Sequence, residues 1–534
     1  MVVPELRPWR GTRPRAARFA AAVRPRLARA ATAVRPRVAR LAQSAKPHVT
    51  RMTRPNANKT WQYTAGAATA GLALAAGVVT AVGPWDATGQ RTAERERAAA
   101  QEHTGGADHG HTSGTATAGP RPAPSAAVVL TGLGGGANTV KSAPKALDAK
   151  ALAAVLGPLL DTPALGTRHA AAVVDVATGE RLYGAGAAQG LTPASTTKIA
   201  TAVAALSALG PDHRFTTRAA LEPDTGELVL VGGGDPTLTA REKTDGWADL
   251  RTLAADTAAA LKKQGVRNVT LSYDTTLFAG SGLHPIGVNG NLARVSALAA
   301  DEGRADGSTS GPAHRVADPA VAATRSFAGF LAEHGIKTTS PGPSKATGRA
   351  RTLATVSSPP LSRIVERMLT HSDNDIAEAL ARQTAAATGE RPDFAGAGRA
   401  VRAQLQKLGL PLTGAVFHDG SGLDRTDRLT AGLLTALLVE AGDPARPDLR
   451  PVLTGLPVAG FTGTLTSRYT DGAAGVVRAK TGTLTGVNTL AGTVVDQDGR
   501  LLAFAFLASG TTDPWAAQKA LDKAATAVAG CGCH

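Results

Sequence analysis

The sequence predicts an α+β catalytic domain of two lobes, interrupted by a second, inserted domain. Near the C-terminus, 476–479, 489–495 and 501–509 are three successive apolar runs in meander order, followed by a helical pattern at 515–528. A strand pair (170–176 and 181–183) and an apolar helix (199–209) stand at the start of the same unit. Between the two ends, 360–409 is helical in pattern. Helices before and after an antiparallel sheet, with an all-helical lobe between them, leave a crevice between lobes as the natural site.

The chain has 534 residues and a net charge of +16, which by itself suggests a polyanionic partner. The distribution of charge argues otherwise. Residues 1–60 hold 15 of the 58 Lys and Arg and a single acid, Glu5, so the rest of the chain carries only +2. Its Arg-Pro and Ala-Arg units cannot bury a core, and 1–63 is expected to be a disordered basic tail on the cytoplasmic side. Anionic lipid headgroups are its expected partner, and no fold supports a specific nucleic-acid role. Met52 opens a short basic segment and is an alternative natural start.

No residue from Thr60 to Trp85 is charged, and 65–82 is small and apolar. About 20 such residues suffice to span a bilayer, and Trp61, Tyr63 and Trp85 sit where rings favour the interface. Residues 64–85 are therefore expected to be a transmembrane helix or signal anchor, a cleaved signal peptide being the alternative. The basic flank lies N-terminal, which gives a single-pass cell-membrane protein with its catalytic domain on the cell-wall side. Residues 86–145 read as a flexible linker whose His103, His109 and His111 are solvated.

Order is expected from a helix at 147–160 onward, with the catalytic domain at 146–218 and 350–534. Residues 219–349 read as the inserted domain, with helices at 248–263 and 320–334, a strand at 268–273 and no concentrated chemistry. A strand at 228–231 runs into Gly232-Gly233-Gly234-Asp235-Pro236, which lacks a phosphate-loop lysine and reads as a tight turn. The only cysteines, Cys531 and Cys533, fall in what reads as a frayed tail, too short to hold a metal. Neither a metal nor a cofactor is expected.

The chemistry is concentrated in three short stretches. Ser195 and Lys198, three apart at a helix start, project from one face one turn apart. A helix N-terminus adds positive potential beside the serine, and a lysine whose pKa is lowered by burial or by a second cation can take its proton. Ser142 and Lys145 share the spacing by accident, with Pro144 between them. Ser372-Asp373-Asn374 and Lys480-Thr481-Gly482 follow in order, the latter in the strand that starts near Val476. The ordered trio S-x-x-K, S-x-N, K-T-G is a serine-enzyme signature.

With Gly463-Thr464-Leu465, Thr483-Leu484, Asp419-Gly420-Ser421-Gly422-Leu423 and the 232–236 turn, these motifs resemble one family. It is the D-alanyl-D-alanine carboxypeptidase/endopeptidase family, the low-molecular-mass class C penicillin-binding proteins of peptidase family S13. The resemblance covers about 146–534 and implies a penicillin-binding-protein/β-lactamase-like transpeptidase domain. It implies peptidoglycan stem peptides as substrate and β-lactams as inhibitors. Ser195 is implied as the nucleophile, Lys198 as its base, Ser372 as proton relay and Asn374 as a clamp on Lys198 and substrate. Lys480 and Thr481 are implied to bind the terminal carboxylate, with Gly482 beside them. Lys480 is also implied to depress Lys198 by like-charge repulsion. The N–H groups of Ser195 and Thr483 are implied to form the oxyanion hole. Asp424 stands where the family often has serine, and the interval from Ser195 to Ser372 is shorter than in well-known members.

A β-lactamase is the rival enzyme, but no acid in an E-x-x-L-N setting lies between Asn374 and Lys480. A non-enzymatic penicillin-binding or wall-binding module is the rival from another class. The intact set of three motifs argues against it.

Overall fold

The computed structural model describes residues 148–531, apart from 340–341 and 470–471. The expected tail (1–63), span (64–85) and linker (86–145) lie outside the described residues. Among the described residues no helix is long and apolar enough to cross a membrane.

Helix α1 (Ala149–Leu160) begins at Asp148, whose side chain accepts from Lys150 N, and buries Leu152, Leu156 and Leu160 at i, i+4 spacing. Strands β1 (Arg168–Asp175) and β2 (Arg181–Ala185) follow as a hairpin. A 3-10 turn (Ala194–Thr196) leads into α2 (Thr197–Leu209), whose residues 197–206 are all buried. The chain then leaves for the second domain: β3 (Thr216–Leu221), β4 (Glu227–Val231), α3 (Leu250–Lys263) and β5 (Asn268–Asp274). Helix α4 (Pro319–Glu333), the short β6 (Lys337–Thr338) and β7 (Gly342–Pro343), and β8 (Arg351–Ser357) complete it. Helices α5 (Leu361–His371), α6 (Asn374–Thr388), α7 (Phe394–Lys407), α8 (Ala431–Gly442) and α9 (Arg450–Thr454) form the helical lobe. Strands β9 (Val477–Leu484), β10 (Val487–Val495) and β11 (Leu501–Ser509) and helix α10 (Pro514–Ala529) close the chain.

The catalytic sheet has the order β2-β1-β11-β10-β9, with antiparallel neighbours throughout. Its central strands β10 and β11 are apolar runs rather than alternating ones because both faces are covered. α1 and α10 pack on one face around Phe504 and Phe506. α2, α5, α6 and α8 pack on the other, sharing one core with Ala491, Ala503 and Leu507. Strand β9, which carries Lys480-Thr481-Gly482, is an edge strand, so one side of it faces the crevice.

The second sheet has the order β6-β5-β4-β3-β8, with β7 also paired to β5. It holds its own core with α3 and α4, around Leu230, Leu253, Leu271 and Phe327. β4 and β5 are parallel, joined across α3, and the chain departs and returns through the antiparallel pair β3 and β8. The sheet therefore reaches from Thr216 to Ser357, three residues before the expected 219–349 and eight beyond it. Residues 351–357, assigned from sequence to the catalytic part, pair with β3 instead. Cys531 is a further correction: it is buried against Leu521 and Val528 rather than frayed.

Candidate active site

The nucleophile turn is built under strain and braced from three sides. Ala194, just before Ser195, has φ 48, a left-handed conformation that costs a residue with a Cβ about 1–3 kcal/mol. Thr196 Oγ1 and Thr489 Oγ1 both donate to Pro193 O, at 2.7 and 2.8 Å, tying the turn to itself and to β10. Gly482 of β9 lies so close that a Cβ there would stand 3.0 Å from Ser195 N and 2.8 Å from Pro193 O. Gly422, at φ 80, backs onto the Ala194 carbonyl with no room for a side chain. The glycines of the K-T-G and D-G-S-G-L stretches thus let two backbones close on the turn.

Lys198, in the first turn of α2, is wholly buried and has three oxygen neighbours. Its Nζ lies 3.0 Å from Ser195 Oγ, 2.7 Å from Asn374 Oδ1 and 2.7 Å from Ser421 O. An amide oxygen and a peptide carbonyl can only accept, so they take two N–H bonds. A neutral amine then has one lone pair left, and its remaining neighbour is the serine hydroxyl. Burial pulls the Lys198 pKa from 10.5 down to about 8, against the opposing charges of Asp419, Glu378, Asp373 and Asp375. The expected depression by Lys480 is corrected here: loss of water is the main cause.

The Ser421 carbonyl is held by an apparatus that motif reading did not assign. Glu378 of α6, fully buried, accepts from Gly420 N with both oxygens at 3.1 Å and from Ser421 N at 2.8 Å. Asp419 accepts from Gly422 N at 2.6 Å and Asp424 N at 2.7 Å, and Thr201 Oγ1 donates to Gly420 O at 2.6 Å. His284, from the second domain, meets Asp419 Oδ2 at 3.0 Å. Its Nδ1 accepts from Ile286 N, leaving Nε2–H to donate to Asp419.

Ser372 caps the end of α5 in the left-handed region (φ 58, ψ 39), and Asp373 caps the start of α6 by accepting from Ile376 N. The abrupt helix-to-helix corner points Ser372 and Asn374 into the crevice. Lys480 Nζ donates to Ser372 Oγ at 2.8 Å and to Thr481 O at 2.8 Å. Lys480 is also wholly buried, and its pKa falls well below the ordinary lysine value through burial and the nearby Lys198 charge. Thr481 Oγ1 bonds Thr464 Oγ1 at 2.9 Å, which places the Gly463–Leu465 turn behind the strand.

These groups meet at a cleft of about 290 Å³ lined by Ser195, Ser372, Asn374, Thr481 and Thr483. Lys480 lies behind its wall rather than in it. The other wall comes from the second domain, through Asn291, Arg304, Pro312 and Arg315. Asn374 Nδ2 donates to Asn291 O at 2.8 Å. The expectation that 219–349 carries no concentrated chemistry is thereby corrected: its loops complete the site. Short loops of mixed polarity give no periodic signal, so sequence alone offered nothing to find them by.

An antiparallel sheet with one helical lobe against it and an edge strand on the crevice is the penicillin-binding-protein and β-lactamase fold. It is shared with the crystal structure of penicillin binding protein 4 from Haemophilus influenzae, which matches at TM-score 0.57 and 22% identity, covering 69% of this chain and 94% of that one. The profile of the D-Ala-D-Ala carboxypeptidase 3 (S13) family matches residues 151–309 and 302–528, and the chain belongs to that family of serine-type carboxypeptidases. Carboxypeptidase DacB of Mycolicibacterium smegmatis is 37% identical over 396 residues, 72% of this chain and 85% of that protein. A D-alanyl-D-alanine carboxypeptidase of Actinomadura sp. is 32% identical over 446 residues, 67% of this chain and 80% of that protein.

Proposed function

We propose that Ser195 cleaves the terminal D-Ala-D-Ala bond of peptidoglycan stem peptides through an acyl-enzyme. The observation that carries this is the valence of Lys198: two oxygens that can only accept, and one hydroxyl left for its lone pair. Ser195 Oγ bonds to the scissile carbonyl carbon as Lys198 takes its proton. The carbonyl oxygen gains the charge and meets the N–H groups of Ser195 and Thr483, each such donor being worth about 2.7–4 kcal/mol. The C–N bond then breaks and D-alanine leaves, its nitrogen protonated through Ser372, which sits on Lys480. Water attacks the acyl ester, and Ser195 recovers its proton. Thr481, on the cleft wall, offers its hydroxyl to the terminal carboxylate, with Lys480 buried behind it.

β-Lactams acylate the same serine in this reading, since they present a strained amide to the same hole. The discriminating experiment is mass spectrometry of the penicillin-treated protein after proteolysis, together with D-alanine release from a stem peptide. An adduct on the peptide containing Ser195 is expected. An adduct elsewhere overturns the assignment, and labelling without turnover supports a non-enzymatic binding module. Cleavage of a cross-linked muropeptide tests the endopeptidase activity.

The uncharged stretch 60–85 behind a basic flank supports a single membrane anchor with the catalytic domain on the cell-wall side. Recovery of a soluble native protein beginning after Val82 overturns that reading, since the segment is then a cleaved signal.

A further inference from the structure

The second domain sends one arch, residues 289–315, across to the S-x-N corner. Its base is a close pair: Arg304 and Arg315 form a bridge, with Ala305 N donating to His314 O at 2.9 Å and Val316 N to Gly303 O at 2.8 Å. At its turn Asp301, Glu302 and Gly303 all have positive φ, at 52°, 56° and 62°. Two consecutive residues with a Cβ in the left-handed region are strained, and such strain persists only where the surroundings over-determine it. What the turn achieves is to direct Glu302, 7% exposed, at the catalytic corner.

There one of its carboxyl oxygens lies within 4.8 Å of an oxygen of Asp373, the middle residue of S-x-N, and of one of Asp375. Arg304 Nε donates to Glu302 Oε2 at 2.7 Å. Arg315 donates to Glu302 O at 2.6 Å and pairs with Asp375 Oδ2 at 2.9 Å, while Ala293 N donates to Asp375 Oδ1 at 2.9 Å. Acids crowded this closely out of water favour the protonated form of Glu302. Asp373 and Asp375 flank Asn374 directly and follow Ser372, so a grip on the two acids fixes both reacting side chains.

We propose that Glu302 and Arg315 are positioning residues of the peptidase site: Glu302 as a carboxylic acid donating to Asp373, Arg315 as the partner of Asp375. The inference rests on the serine-peptidase reading above. The charged groups facing Glu302 are Asp373 and Asp375 from α6, Arg304 and Arg315 from the arch, and Arg367 of α5 at 3.8 Å. Behind it Asp301 is paired with Arg241 at 3.1 Å. Burial, then the charge of Asp373, raises the Glu302 pKa from 4.5 to about 9. Above that value Glu302 ionises, and its new charge beside Asp373 pushes the arch off the corner. Activity needs Lys198 neutral, hence a rise through about 8, and Glu302 protonated, hence a fall near 9.

The test is the pH profile of kcat/KM for D-alanine release by the full chain, beside the rate of Ser195 acylation by penicillin. Wild type is expected to give a bell. Glu302→Gln, which keeps a donor to Asp373 but cannot ionise, is expected to lose the alkaline fall. Arg315→Met is expected to lower kcat and the acylation rate about tenfold or more with KM little changed, and Arg315→Lys to recover part of the loss. An alkaline fall that Glu302→Gln leaves in place overturns the proposal. So does a loss in Arg315→Met that falls on KM alone or is not relieved by lysine. If Arg315→Met does not fold, the Glu302→Gln profile decides. Absence of a penicillin adduct on wild-type Ser195 is a separate outcome that strikes the peptidase reading itself.

Discussion

The two sides of the cleft each bury a lysine completely, and they treat it differently. On the S-x-x-K side, Lys198 sits among four carboxylates that resist the cost of burial and hold it at about 8. On the K-T-G side, Lys480 donates to a hydroxyl and a carbonyl, and burial together with Lys198 drives it well below the ordinary value. Like-charge repulsion adds to the lowering of Lys480, while Lys198 is lowered by burial and held up by the carboxylates. Equal burial therefore yields two lysines with different tasks: one titrating near working pH against Ser195, and one a hydrogen-bond partner of Ser372 held well below the ordinary lysine value.

The hardest break of this comparison is Ser195→Ala, which removes the group that Lys198 deprotonates. Both penicillin labelling and D-alanine release are expected to vanish. Next is Gly482→Ala, where the new Cβ meets Thr489 Oγ1, then Pro193 O and Ser195 N, and so pushes on the nucleophile turn and on the hydroxyl that braces it. A misplacement of that order costs about a hundredfold in kcat/KM, read from steady-state kinetics at fixed pH. Lys480→Ala removes a hydrogen bond worth about 1.5–3 kcal/mol if charged, so kcat/KM should fall at least about tenfold.

The pH dependence sharpens the contrast. Because the base must be neutral, kcat/KM should fall about tenfold per unit of pH below the Lys198 value of about 8. Glu378→Gln removes a negative charge that favours the ammonium, so this limb should move to lower pH. Lys480→Ala should leave the limb where it is, since burial is the main cause of the Lys198 shift, and a limb that moves upward would show that repulsion by Lys480 contributes. The smallest effect belongs to Ser142→Ala, in the accidental S-x-x-K match, where labelling and turnover should stay at wild-type values.

The three motifs were legible because each packs its chemistry into three or four adjacent residues, and because the C-terminal meander and its helix have strong local patterns. What held the motifs together was not. Lys198 depends on the carbonyl of Ser421, and a carbonyl has no residue type to recognise. Glu378 sits within a helix that reads as core, and only the fold brings its oxygens under Gly420 and Ser421. Strand β8, R-T-L-A-T-V-S, is mostly exposed and alternates weakly, so its membership in the second sheet appears only through its pairing with β3. The arch is the extreme case, a run of loop residues whose partners lie far along the chain.

The junction of the two domains has a bearing on how such a protein can change. The chain leaves at Phe215 and returns at Ser358, and these residues bond each other: Ser358 N to Phe215 O at 2.8 Å, and Phe215 N to Ser358 Oγ at 2.9 Å. β3 and β8 continue outward as neighbours, and opposed Cα atoms in such a pair are only about 4.5–5.5 Å apart. To the helical lobe, everything between these points is equivalent to a short hairpin, whatever its length. Lengthening or trimming the far end therefore adds little closure entropy and leaves the lysines undisturbed. What a new excursion must still supply is the short span that reaches back to Asp373, Asn374 and Asp375.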